Sequence, residues 1–140
     1  MNQEPLKLPF SVLNDRGFST GLLKLSDTPG LEAKTAYRIG RIFSTCKTIM
    51  KGIYDAEYEL RKKYALLDKD GKMVMKSVRG VDEPEVDPAK QSEFDEEYKK
   101  ITPEYIEFKV LKIDFNEIAP AKLSPQQLCD LSPLFENLPE

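Results

Sequence analysis

Histidine is absent from all 140 residues. That removes the commonest general base and the imidazole metal ligand, so a serine–histidine triad or a histidine zinc site is impossible within one chain. Cysteine is nearly absent. Cys46 and Cys129 are the only two and lie far apart, which rules out a zinc site built from them unaided. Both read as reduced and packed, because buried free cysteine behaves as a small apolar side chain, although spacing alone leaves a disulfide open. No run reaches the apolar length of a membrane span, and Gln3, Glu4 and Pro5 stand where a signal peptide has a basic start and an apolar centre. No charge of one sign dominates. With 24 acidic groups against 21 basic ones the net charge is −3, so nothing global points to nucleic acid or an anionic membrane. Glycine-rich phosphate loops and dinucleotide fingerprints are also missing. The expectation from these absences is a cytosolic protein without enzymatic activity, metal, cofactor or membrane attachment.

What remains is globular composition, 40% hydrophobic and 32% charged, at a length that suits a single domain over residues 1–140. The chain is organised around residues 31–67, which read as one long helix. Ala36, Ile39, Phe43, Cys46, Met50, Ile53, Leu60, Tyr64 and Leu67 recur at alternating steps of three and four, and only Glu57 interrupts them. A carboxylate there implies either an ion pair with a lysine or arginine on a facing helix or a stripe turning toward solvent; a catalytic acid is the third reading. Such a helix would be roughly 55 Å long at 1.5 Å per residue, against a radius of gyration of about 14 Å for a compact chain of this size. Gly40 and Gly52 are its weak points, read either as tolerated imperfections or as places of kinking or close backbone approach.

Before the helix, residues 1–30 form an N-terminal arm. Leu6, Leu8, Phe10 and Val12 alternate as in a strand over Pro5–Asn14, with Pro9 marking it as an edge. Residues 14–17 have turn chemistry, Phe18–Leu25 read as a short helix, and Ser26-Asp27-Thr28-Pro29-Gly30 supply start signals for the long one. After it, Asp68-Lys69-Asp70-Gly71 form a turn. A calcium loop fails there because Lys72 and Arg79 occupy the fifth and twelfth ligand positions. Lys72–Val78 suggest a short strand, and residues 79–92 a mobile acidic connector, since Asp82 to Glu97 hold eight acidic residues against one lysine.

A helix then starts near Asp87 or Pro88, carries Phe94, Tyr98 and Ile101 inward, and breaks or restarts at Thr102-Pro103-Glu104. Val110–Ile118 return to a strand period, and Leu123-Ser124-Pro125 cap a final short helix with Leu128, Leu131, Leu134 and Phe135 facing in. The sum is a helix-dominated α+β fold. One long helix packs against a shorter antiparallel one over residues 90–108, with two or three short strands and a C-terminal short helix.

One stretch suggests function. From Ala33 to Tyr54 there are five basic residues, Lys34, Arg38, Arg41, Lys47 and Lys51, and no acidic one. Lys34, Arg38 and Arg41 share a helix face with Tyr37 beside them, a pattern able to hold phosphates or an acidic partner. The alternative is an ordinary solvated face.

The order of features also resembles a family of small uncharacterised proteins encoded by tailed bacteriophages and prophages. The residues are Gly30-Leu31 leading into Ala36-Tyr37-Arg38-Ile39 with Arg41 and Ile42, then Tyr58-Glu59, Arg61, Lys63-Tyr64, Asp68, Asp70-Gly71-Lys72, Phe94, Glu97, Ile113, Leu123-Ser124-Pro125, Leu128, Leu131 and Pro133-Leu134. They span about residues 30 to 135. The resemblance implies a phage protein acting in the host cytosol or in virion assembly, and it assigns no catalytic residue. The partner expected is therefore a host or phage protein or a second copy, with nucleic acid as the alternative.

Overall fold

The structure, a computed structural model, describes residues 5–78 and 80–139. Residues 1–4 of the expected arm and Arg79 of the calcium-loop spacing lie outside them. The described chain is a helix-dominated α+β fold that clusters into two compact units, residues 1–50 with 104–140, and residues 51–103.

In the first unit, β1 (Pro5–Pro9) buries Leu6 and Leu8 and leaves Pro5 and Lys7 exposed. The strand stops earlier than its alternation suggests. Pro9, held at φ −61°, becomes the N-cap of a one-turn helix α1 (Phe10–Leu13), so Phe10 and Val12 are helical and not part of a strand. β1 pairs antiparallel with β4 (Tyr105–Leu111), Lys7 lying opposite Glu107. β4 replaces the end of the helix expected over residues 90–108. Thr102 precedes proline and is extended (ψ 117°), which stops the helix before it. From Tyr105 the chain alternates instead, burying Ile106 and Phe108 and exposing Glu107 and Lys109. The expected strand over 110–118 is divided between the end of β4 (Val110 and Leu111) and β5 (Ile113–Asp114), the latter parallel to β6 (Phe135–Glu136), and the Asp114 side chain caps the 3-10 turns of Phe115–Ala121.

α2 (Arg16–Ser26) contains the expected short helix and buries Phe18, Leu22 and Leu25. The polar residues after it end α2 and do not start the next helix: the Ser26 and Thr28 hydroxyls donate to the Leu23 and Lys24 carbonyls, satisfying acceptors of its last turn. α5 (Pro125–Leu131) opens with a reciprocal cap, Ser124 Oγ accepting from the Gln127 amide while the Gln127 side chain accepts from the Ser124 amide. It packs on α2 where Gly21 lets the backbone approach Leu131, whose side chain would sit about 3.1 Å from an added Cβ. Leu131 and Leu134 are wholly buried, and with Phe135, Phe18, Phe108, Ile39 and Ile42 they form the core.

α3 (Ala33–Lys63, 31 residues) supplies its first half to this core and its second half to the other unit. It starts and ends inside the expected limits, and its buried stripe is rotated. Thr35, Ile39, Ile42 and Cys46 are buried where Ala36 is exposed and Phe43 and Met50 are only half-buried. Ile39, Cys46 and Ile53 are common to both stripes, and the flank that faces the core is Thr35 and Ile42 in place of Ala36 and Phe43, a choice set by the elements packed against the helix and not by its period. Gly40 and Gly52 have no atom within 4 Å of an added Cβ. Replacing either by alanine is therefore expected to raise stability, by about 0.5–1 kcal/mol from helix propensity alone. Denaturant melts that show a loss would place another backbone against these glycines.

In the second unit, α3 ends at Lys63 because the next residues turn their amides and carbonyls outward. Leu66 donates to Glu85, Asp87 to Tyr64, and Val74 to Leu66. Leu67 is thereby bridged to Met73 and left exposed, off the helical stripe. Gly71 at φ +75° closes the Asp68 turn, whose carboxylate accepts from the Asp70 and Lys72 amides. The expected acidic connector is ordered structure. Val81–Pro84 form β3, paired with β2 (Met75–Val78), and Pro84 is buried. Asp82 is exposed, whereas Glu83, Glu85 and Asp87 are half-buried, Glu83 lying 3.7 Å from Arg61, so charge alone gave no sign of the strand. α4 (Gln91–Ile101) follows a turn capped by Asp87. It buries Phe94, with Tyr98 stacked at 5.9 Å, and the Arg61 guanidinium of α3 lies over the Phe94 ring at 5.2 Å.

Candidate functional site

The first half of α3 turns Ile39, Ile42 and Cys46 to the core, and the same periodicity puts Tyr37, Arg41 and Lys47 on the solvent side. Tyr37 is 64% exposed. It is held in place one helical turn from Arg41: an Arg41 Nη1 hydrogen donates to the Tyr37 hydroxyl at 3.2 Å, and the guanidinium carbon lies 5.9 Å from the ring centre. The contact spans four residues, so any straight helix carrying these two side chains can make it. Lys47 rests over the half-buried Phe43 ring at 5.9 Å.

The six candidate residues do not share one environment. Lys34 faces Glu117 at 3.8 Å, and Glu117 also accepts a hydrogen bond from the buried Thr35 hydroxyl. That carboxylate answers for both. Lys51 belongs to the second unit, where Asp55 lies 3.8 Å away one turn further along the helix. Arg38, half-buried, and Arg41 and Lys47, exposed, take part in no ion pair among the described residues. Arg38 and Arg41 thus remain beside an exposed phenol without an ion pair among the described residues, while Lys47, nine residues and about 180° round the helix from Arg38, lies on the opposite flank.

Lys109 and Glu107, which the sequence did not single out, bring one cation and one carboxylate beside Arg41. Arg41 and Thr45 border a shallow depression of about 180 Å³ whose other wall is residues 107–110 of β4. The alternating charges of β4 were the available signal, but expecting a helix through residue 108 concealed them.

Glu57 is accounted for within the second unit. Its carboxylate accepts from Arg61 Nη2 at 3.0 Å and Nε at 3.3 Å, and Glu83 lies 3.7 Å from the same guanidinium. The ion pair is therefore made with Arg61 one turn along the same helix, and not with a facing helix as expected. Lys63 and Glu97 meet at 2.9 Å, which holds the lysine above its ordinary range and the carboxyl below its own. Lys63 is exposed and Glu97 half-buried at the surface, so the pair contributes little.

The cysteines differ from expectation in one respect. Cys46 is buried and its thiol is pushed up to about 12 by desolvation, so it stays protonated and unreactive, but Cys129 is exposed and not packed; both are free. Among the described residues no helix is long and apolar enough to cross a membrane. Compared with protein-family models, curated proteins and solved structures, the chain has no match in any of the three.

Proposed function

We propose that this chain is a non-enzymatic interaction protein whose solvent-facing side of α3 binds an acidic surface of a protein partner. Tyr37, Arg38 and Arg41 form the contact, and one observation carries the reading: these two cations have no ion-pair partner among the described residues, beside a tyrosine that is 64% exposed. Arginine and tyrosine are the side chains that contribute most when desolvated at interfaces. The layout that resembles small phage and prophage proteins supports placing the partner in an infected cell, as a host protein or a virion component, with the chain serving as a modulator or assembly factor.

Nucleic acid is the second reading, favoured by the same cations. Against it stand the net charge of −3 and the acidic β3 and α4 region of the second unit, both of which oppose recruitment of a polyanion. Fluorescence anisotropy with labelled duplex and single strands near 0.15 M salt, where charge is screened over about 8 Å, tests the choice. Weak binding is expected. Tight, sequence-independent binding that weakens steeply with added salt would replace the protein partner with a phosphate backbone.

A further inference from the structure

The second unit holds a cavity of about 450 Å³, a size that takes a small organic ligand. Its walls are Arg61 of α3, Lys76 of β2, Glu85 just past β3, and Pro88, Gln91 and Phe94 in and after the turn that opens α4. The strand register explains why two charges of the hairpin meet there. Lys76 lies opposite Glu83, and Glu85 follows Glu83 by the two-residue period of an extended chain, its amide donating to the Val74 carbonyl. Lys76, Glu83 and Glu85 therefore share one face of the hairpin. It is the face toward Arg61, since the Glu83 carboxylate lies 3.7 Å from that guanidinium.

The groups around the cavity are unequally engaged. Arg61 gives Nε and Nη2 to Glu57 and faces Glu83, while its Nη1 has no acceptor among the described residues. Gln91 donates its side-chain amide to Asp95 at 2.9 Å, which leaves its Oε1 able to accept. Lys76 and Glu85 take part in no ion pair or side-chain hydrogen bond among the described residues, although Glu85 is half-buried. The cavity thus offers an unengaged carboxylate and an unengaged ammonium beside the apolar Pro88 and Phe94. With Glu57 and Glu83 already on Arg61, two cations face three carboxylates, which disfavours a simple anion such as phosphate, and the unengaged Lys76 disfavours a simple amine. A ligand with both charges on a short body satisfies both groups.

We propose that this cavity binds a free α-amino acid with an apolar side chain. The ligand's ammonium donates to Glu85 and to Gln91 Oε1, its carboxylate accepts from Lys76 and Arg61 Nη1, and its side chain rests against Pro88 and Phe94. Every residue named belongs to the second unit, and none is among Tyr37, Arg38 and Arg41. The inference therefore stands apart from the acidic-partner reading.

NMR titration of the full chain with L-phenylalanine, and with phenethylamine and 3-phenylpropanoate, which each lack one of its two charges, tests the two ends separately. L-Phenylalanine is expected to give saturable shifts centred on Arg61, Lys76, Glu85 and Gln91, and each single-charge analogue to bind at least about tenfold more weakly. Lys76→Gln should weaken L-phenylalanine at least about tenfold and leave phenethylamine unchanged, and Glu85→Gln should weaken it as much and leave 3-phenylpropanoate unchanged. Each variant removes the half of the site that its analogue does not use. Circular dichroism establishes that both variants are folded. No saturation by L-phenylalanine, L-leucine or L-methionine in the millimolar range, or an analogue that binds as tightly as the amino acid, would overturn the proposal. So would folded variants that weaken all three ligands alike, because a lost charge affects only the ligands that use it.

Discussion

Ile42→Ala is expected to lower the stability of the fold by about 2–5 kcal/mol, the range for truncating a large aliphatic side chain that neighbours cannot collapse around. Ile42 has no solvent exposure and lies in the same cluster as Ile39, Phe108 and Leu131. Phe43, next to it, is half-buried at the edge of that cluster, so Phe43→Ala should cost less despite removing more atoms. The stripe expected from sequence ranks them the other way, with Phe43 inward and Ile42 on the flank. Equilibrium denaturation of both variants therefore measures the rotation of α3. A larger loss at position 43 would turn the helix by one residue and redirect Arg41 and Tyr37, and the candidate site would move with them.

The second large effect concerns recognition. Arg38→Glu combined with Arg41→Glu is expected to reduce capture of the acidic partner by a hundredfold or more, about 3 kcal/mol, because it removes two cations, adds two repelling charges and releases the Tyr37 ring from its guanidinium. Truncating a charge that pairs across an interface typically costs 2–5 kcal/mol. Neither arginine bonds to the core, so the variant should unfold at the same denaturant concentration as the wild type. Lys34→Glu is the useful contrast. Lys34 already faces Glu117, and its loss should weaken capture far less than the double change.

The parts of this fold that were legible in the sequence are those set by local periodicity. Ile39, Cys46 and Ile53 fall on the inward side of α3 as expected, Phe18, Leu22 and Leu25 on that of α2, and Ser124-Pro125 starts the last helix. The misplaced parts depend on partners distant in the chain. β4 is a strand because β1 lies beside it, nearly a hundred residues earlier in sequence, and Val81–Pro84 are a strand because Met75–Val78 turn back onto them. Neither pairing leaves a local mark beyond a few alternating residues. Thr35 shows the same limit at one position: a hydroxyl counts as polar in any hydrophobic pattern, yet it is wholly buried because Glu117 accepts its hydrogen.

For the candidate site, the cluster of cations was visible and its selectivity was not. Arg38 and Arg41 differ from Lys34 and Lys51 only through Glu117 and Asp55, and of these Glu117 is brought in by the fold. Lys109 could enter only once β4 was a strand. The sequence therefore marks a basic helix, and tertiary structure selects which of its charges remain available.

Affinity capture from nuclease-treated lysate of infected cells, with the immobilised wild type beside the folded Arg38→Glu/Arg41→Glu variant, decides most directly whether this face binds protein. One retained protein with an acidic surface, held by the wild type after nuclease and lost from the variant, is the expected outcome, followed by its identification and titration as a pure partner. Loss of all wild-type binding on nuclease treatment, or equal retention by wild type and variant, would show that the solvent side of α3 does not recognise a protein.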